Sequence, residues 1–131
     1  MATIDDLLER AREDLQRVTP EEAAAAVAER DALLLDIRAD SQRAADGTVP
    51  QARFVARNVL EWRLDPACEH RDPDLASYER PVILMCNEGY QSSLAAATLR
   101  QLGVAATDMV GGFQAWRDAG LPTATDEPDT A

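Results

Sequence analysis

Residues 81–93 read Pro-Val-Ile-Leu-Met-Cys-Asn-Glu-Gly-Tyr-Gln-Ser-Ser (PVILMCNEGYQSS), and this stretch decides the fold. Its first part, PVILM, is short and continuously apolar, as a central strand buried on both faces of a parallel sheet requires. A short loop containing Gly89 follows, and residues 92–102 (SSLAAATLRQL) read as a helix stopped by Gly103. In sheets of this kind ligands bind outside the carboxyl ends of the strands, which points to the residues just after Met85. Cys86 stands there. Successive backbone N–H groups of the loop and of the helix N-terminus would surround its sulfur and stabilise it as an anion, a nucleophilic thiolate. The plain alternative is a small apolar Cys that finishes a strand. It fits the spacing equally well, because free Cys is among the most buried residue types.

Working outward, residues 32–37 (ALLLDI) read as a second buried strand, 54–59 as a candidate strand and 107–110 as a last short one. Residues 3–18 place Ile4, Leu7, Leu8, Ala11, Leu15 and Val18 on one helical face, with Thr3 and Asp6 as an N-cap pair. Thr19-Pro20-Glu21-Glu22 opens a second helix running to about Glu29: a cap, a Pro at the first helical position and an acid three residues after the cap. Residues 40–53, polar and holding Gly47 and Pro50, read as a loop or short helix and a turn, and 61–80 as surface connection. Residues 112–119 form a last helix, ending at Gly120 before Pro122. Strands alternating with helices predict an α/β fold whose parallel sheet is covered on both faces.

A chain of 131 residues and 14.3 kDa fits one compact domain. Its 46% apolar and 28% charged residues are a globular composition. Acidic residues number 24 against 13 basic, a net charge of −11, which argues against nucleic-acid and membrane-surface partners. Every basic residue is Arg, so Schiff-base lysine chemistry and a Walker-type phosphate lysine are excluded. The N-terminus has neither the basic nor the apolar region of a signal peptide, and no apolar run is long enough to span a bilayer. The two cysteines, Cys68 and Cys86, suit a reducing compartment, so a cytoplasmic location is expected. The one histidine, His70, excludes a His-rich zinc site, and Cys68 with His70 forms a lone C-x-H with too few partners for a metal.

PVILMCNEGYQSS, with the small-residue helix after it, resembles the strand, cysteine, loop and helix of the single-domain rhodanese-like sulfurtransferases. Three further blocks stand in that family's order: Leu33 to Arg38 (LLLDIR), Gly47 to Ala52 (GTVPQA), and Val110-Gly111-Gly112-Phe113-Gln114-Ala115-Trp116 through Gly120-Leu121-Pro122. The likeness covers residues 18–122, leaving 1–17 as an added N-terminal helix and 123–131 as an acidic, frayed tail. It implies a parallel five-stranded sheet flanked by helices, no metal or organic cofactor, and Cys86 as acceptor of sulfane sulfur. Cys86 would take sulfur from thiosulfate or a low-molecular-weight persulfide and hold it as a persulfide. It would pass the sulfur to cyanide, a thiol or a protein cysteine. The alternative is a non-catalytic module of the same fold that binds a partner or carries sulfur.

The same fold hosts dual-specificity phosphatases, which need Cys-x5-Arg so that an Arg fork can bind the phosphoryl oxygens. Here Ser92 holds that position and no Arg lies between 81 and 99, which disfavours phosphatase chemistry. The active loop is Asn87, Glu88, Gly89, Tyr90, Gln91 and Ser92, with Glu88 and Tyr90 where many relatives place a cation. An inward Glu88 about 6 Å from an anionic donor repels it by on the order of 3 kcal/mol at an effective dielectric near 20, weakening its binding by about two orders of magnitude. A solvated Glu88 is the other reading. Arg63, and after it Arg57, are the candidates for a compensating pocket cation; surface ion pairing is their plain alternative. Asp36 and Arg38, ending the first strand on the side of the active loop, are expected to support it through an ion pair or loop hydrogen bonds. Thr48 and Gln51 stand where the family usually has His and Gly, Gly111 and Gly112 allow a tight turn, and Trp116 belongs to the core.

Overall fold

A computed structural model describes residues 1–125. Two reciprocal capping boxes start the first two helices. In α1 (Ile4–Arg12) Thr3 Oγ1 accepts from the Asp6 N–H at 3.1 Å while Asp6 Oδ2 accepts from the Thr3 N–H at 3.0 Å. In α2 (Pro20–Arg30) Thr19 and Glu22 repeat the exchange at 3.1 and 2.9 Å, with Pro20 in the first turn. The helix over 3–18 is therefore shorter than expected, and Leu15 and Val18 lie beyond its end.

The strands are β1 (Leu33–Asp36), β2 (Arg53–Phe54), β3 (Val82–Met85) and β4 (Ala106–Asp108), all parallel, in the order β2-β1-β3-β4. They alternate with α3 (Asp40–Asp46), α4 (Leu60–Leu64), α5 (Gln91–Gln101) and α6 (Gly112–Asp118). Every residue of β1 and β3 is buried, as continuous apolar runs in a doubly covered sheet require. Alternation along these strands divides the core. Leu33, Leu35, Val82 and Leu84 face Ala95, Ala96 and Leu99 of α5, and Cys86 continues that side. Leu34, Ile83 and Met85 face Ala23 and Ala26 of α2 and Phe113 and Trp116 of α6. Trp116 is fully buried and its indole N–H reaches the Pro122 carbonyl at 2.8 Å.

Three expectations are corrected. Among the described residues the sheet has four strands, not five. At the position of the fifth only Val18 pairs, bridging Met109 through Val18 N–H to Asp108 O at 3.1 Å and Val110 N–H to Val18 O at 2.8 Å. The ladder stops there because the next residue, Thr19, already caps α2 and Pro20 has no N–H to donate. The strand over 54–59 shrinks to Arg53–Phe54, and the chain turns into a 3₁₀ turn at Arg57–Val59 and then α4. The frayed tail expected from Thr123 is pinned at Ala124, which exchanges two 2.8 Å backbone bonds with Thr48. Residues 126–131 of that tail lie outside the described residues. Among the described residues no helix is long and apolar enough to cross a membrane.

Candidate active site

β3 delivers Cys86 to the carboxyl end of the sheet, and the chain turns at once through 87–90 into α5. Cys86 is 1% exposed, and its Sγ accepts a hydrogen bond from the Gly89 N–H at 3.1 Å. A sulfur at the end of a central strand thus receives a backbone donor aimed at it, the arrangement that stabilises negative charge there. Gln42, Cys86, Asn87, Glu88, Tyr90 and Gln91 line a shallow cavity of about 340 Å³ above it. Glu88, Tyr90 and Gln91 are exposed on its rim. A larger cavity of about 500 Å³, between α1 and α5, is lined by Leu7, Arg10, Asp14, Leu94 and Thr98 among others and contains neither cysteine nor histidine.

Gly111, the cap of α6, and Gly112, its first residue, let that helix close on the loop. The Phe113 N–H donates to the Cys86 carbonyl at 2.8 Å and the Gln114 N–H to the Asn87 carbonyl at 3.1 Å. Gly112, at φ +60°, sits so close that a Cβ would collide with the Cys86 carbonyl oxygen and lie 2.7 Å from the Asn87 carbonyl carbon. Gly89, at φ +88°, is also close to Gly111; its Cβ would fall 2.7 Å from the Gly111 nitrogen. The Gln114 side chain completes this contact by donating to Asn87 Oδ1 and Asp46 Oδ2, both at 3.0 Å.

On another side the loop is held by residues that sequence reasoning assigned no role. The Gly89 carbonyl accepts from Arg12 Nη2 at 2.7 Å and from Arg17 Nη2 at 2.8 Å. Arg17 also grips the fully buried Asp108 through Nε at 2.9 Å and Nη2 at 3.2 Å. Asp108 Oδ2 further accepts the hydroxyls of Ser92 at 2.7 Å and Ser93 at 2.8 Å, and Arg12 Nε donates to Ser93 Oγ at 3.0 Å. The N-terminal extension therefore ties the first turn of α5 and the peptide after Gly89 to the end of β4. The only sequence signal for it was negative: no Arg lies between 81 and 99, so any cation at the loop had to come from elsewhere.

The remaining candidates sit as follows. Asp36 and Arg38, each 1% exposed, form a bidentate pair at 3.0 and 2.8 Å. Arg38 also donates to the Gly47 carbonyl at 2.7 Å and stacks 4.0 Å above the Phe113 ring. Arg43 adds a 3.2 Å contact to Asp36. Arg57 is bonded to Glu61 one helical turn on, at 2.8 Å, and Arg63 donates to the His70 carbonyl at 2.9 Å. Neither lines the cavity at Cys86. Cys68 lies instead against Glu61, Trp62, Asp65 and Leu102 in a separate cavity.

Comparison with known proteins follows the same outline. Residues 19–119 match the Rhodanese-like domain family. The chain is 31% identical over 109 residues to the thiosulfate sulfurtransferase GlpE of Actinobacillus succinogenes, covering 82% of this chain and 89% of that protein. Among solved structures it is similar to a Rhodopseudomonas palustris protein of unknown function described as a possible tyrosine phosphatase. That similarity has a TM-score of 0.85 at 29% identity over 94% of this chain and 95% of the other. It is also similar to a thiosulfate sulfurtransferase of Pseudomonas aeruginosa, with a TM-score of 0.62 at 26% identity, over 85% of this chain and 20% of that one. A match across 101 consecutive positions, from the cap of α2 to the end of α6 and through the Cys86 loop, places the chain in the rhodanese-like domain family.

Proposed function

We propose that the protein is a sulfurtransferase of the thiosulfate sulfurtransferase class, in which Cys86 carries sulfane sulfur as a persulfide. The observation that supports this most directly is the Gly89 N–H donating to Cys86 Sγ at 3.1 Å beneath a cavity that reaches solvent. The Cys86 thiolate attacks the sulfane sulfur of a donor; the Sγ–S bond forms, the donor's bond to that sulfur breaks, and the remainder leaves with the electron pair. The terminal sulfur of the persulfide inherits the negative charge, and the loop amides hold it. An acceptor, cyanide or a thiol or a protein cysteine, then takes that sulfur and restores the thiolate, a ping-pong cycle. Both cysteines are free, which suits a reducing, cytoplasmic setting. Phosphoester hydrolysis fits poorly, because Ser92 stands where the phosphoryl-binding Arg is needed and its hydroxyl is committed to the Asp108 carboxylate.

The test is the intact mass of the protein after incubation with thiosulfate and, separately, with glutathione persulfide. A gain of about one sulfur, reversed by cyanide and absent in Cys86→Ser, is the expected result. A chain that gains no sulfur from these donors, nor from a persulfide of positive charge, is instead a partner-binding module.

A further inference from the structure

We propose that the preferred donor for Cys86 is an alkyl persulfide whose carbon skeleton carries an ammonium group, ahead of thiosulfate or any other anionic donor. This rests on the sulfur-transfer reading and adds the charge class of the substrate.

The cavity at Cys86 is lined by the neutral side chains of Gln42, Asn87, Tyr90 and Gln91 and by a single charged one, the Glu88 carboxylate. Among the described residues no guanidinium lines it. The guanidiniums behind the lining are held by other groups: Arg12, 5.9 Å from the centre of the Tyr90 ring, and Arg17 on the Gly89 carbonyl, Ser93 and Asp108, and Arg38 and Arg43 on Asp36. The two candidates from sequence are spent on Glu61 and on the His70 carbonyl. The loop therefore takes its cationic support through the Gly89 carbonyl, and the one charged side chain in the cavity lining is negative. A dianion entering there meets Glu88 with no compensating side chain in the lining. An ammonium two or three bonds from the leaving sulfur meets an opposite charge instead.

In the reaction the Cys86 thiolate attacks the outer sulfur of R–S–SH. The Cys86 Sγ–S bond forms, the donor's S–S bond breaks, and the R–S⁻ that leaves takes a proton from water. Because Glu88 is exposed, its influence is that of a charge in near-aqueous surroundings. At about 6 Å this amounts to about threefold in rate per unit of donor charge. Two donors of opposite unit charge thus separate by about tenfold, an effect that fades as salt rises.

The experiment follows sulfur loading of the full chain by intact mass with cysteamine persulfide, 3-mercaptopropionate persulfide and thiosulfate, in wild type and in Glu88→Gln. The two persulfides share a chain length and differ in terminal charge, and the variant's ratio absorbs their intrinsic difference in leaving group. The ammonium-to-carboxylate rate ratio is expected to be about tenfold higher in wild type than in Glu88→Gln. Thiosulfate loading is expected to rise about tenfold in the variant. A ratio that the substitution leaves unchanged, or thiosulfate loading fastest in both proteins, overturns the charge preference while leaving sulfur transfer intact. Failure of all three donors to load Cys86 overturns the sulfur-transfer reading and this inference with it.

Discussion

Arg17 and Gly89, 72 residues apart, meet at a 2.8 Å hydrogen bond from the guanidinium to the loop carbonyl, while the same guanidinium holds the buried carboxylate of Asp108. A trans peptide directs its N–H opposite to its C=O, and there are no cis bonds among the described residues. Fixing the Gly89 carbonyl against Arg12 and Arg17 therefore fixes the Tyr90 N–H on the opposite side. Arg17→Met leaves the buried Asp108 carboxylate with only hydroxyl donors among the named contacts and is expected to destabilise the fold by about 3–5 kcal/mol. Sulfur loading of Cys86 should slow even under conditions where the variant is fully folded. Arg17→Lys keeps the charge but has no fork to span both acceptors, so it should recover only part of either loss. Urea unfolding and loading rates measured on the same samples check this; full loading rates in folded Arg17→Met would remove the role in loop positioning.

Asp108 accepts four hydrogen bonds, from Arg17 twice and from Ser92 and Ser93, at zero exposure. Asp108→Asn keeps the volume but exchanges the Oδ2 acceptor or its partner for an NH₂ that donates toward donors. A loss of about 3 kcal/mol is expected, read as a lower urea midpoint with an unchanged m-value. Ser92→Ala and Ser93→Ala each delete one donor to the carboxylate and should cost less, about 1–2 kcal/mol apiece.

What could be read ahead of the structure was local. Thr3 with Asp6 and Thr19 with Glu22 satisfy each other three residues apart, so the starts of α1 and α2 were legible from spacing alone. β1 and β3 were legible because burial on both faces demands an unbroken apolar run. Phe54 to Val59 has the same apolar flavour, yet only two residues pair, since β2 is a sheet edge and the helical turn after it buries Leu60 and Leu64 instead. The position of Cys86 followed from its strand, whereas the support around it did not. Arg12 and Arg17 reach Gly89 across more than 70 residues, and no periodicity encodes a contact of that separation. Arg57 and Arg63 looked eligible only because sequence cannot show that Glu61 and the His70 carbonyl already hold them.

The Asp36–Arg38 pair offers a sharper stability test, because both side chains are buried and the guanidinium also spans Gly47 and Phe113. Arg38→Met keeps much of the volume but strands a buried carboxylate with Arg43 as its remaining charged partner among the named contacts. The expected cost is about 3–5 kcal/mol, measured by urea unfolding. Arg38→Lys should recover little, since an ammonium cannot make the bidentate contact and the ring stack together. A loss below about 1 kcal/mol in Arg38→Met would mean that hydrophobic packing replaces the pair at no cost.

Glu22 gives the pH dependence. The Thr19 backbone N–H, and then the Thr19 side chain, hold its carboxyl below the ordinary glutamate value. A group whose pKa is lower in the folded state stabilises the fold above its unfolded pKa, and that contribution is lost as pH falls through the folded value. Wild type should therefore exceed Glu22→Gln in thermal midpoint near neutrality, and the two should converge in acid below the usual carboxylate range. Parallel curves at every pH would show that the capping contact is indifferent to ionisation.

Gly112 tests whether the closure of α6 on the loop is required for chemistry. Its φ of +60° alone costs a side chain about 1–2 kcal/mol. The added Cβ must also push back the Cys86 carbonyl and the Asn87 peptide, which are backbone atoms with no rotamer to change. Gly112→Ala should therefore destabilise by more than the conformational penalty, about 3 kcal/mol in all. It should also lengthen the Phe113 N–H to Cys86 carbonyl bond, now 2.8 Å. Because that bond anchors the residue carrying the sulfur, loading of Cys86 should fall at temperatures where the variant remains folded. Circular dichroism melts paired with intact-mass loading separate the two effects. A variant that melts early yet loads sulfur at the wild-type rate below its midpoint would show that the glycine serves the fold alone.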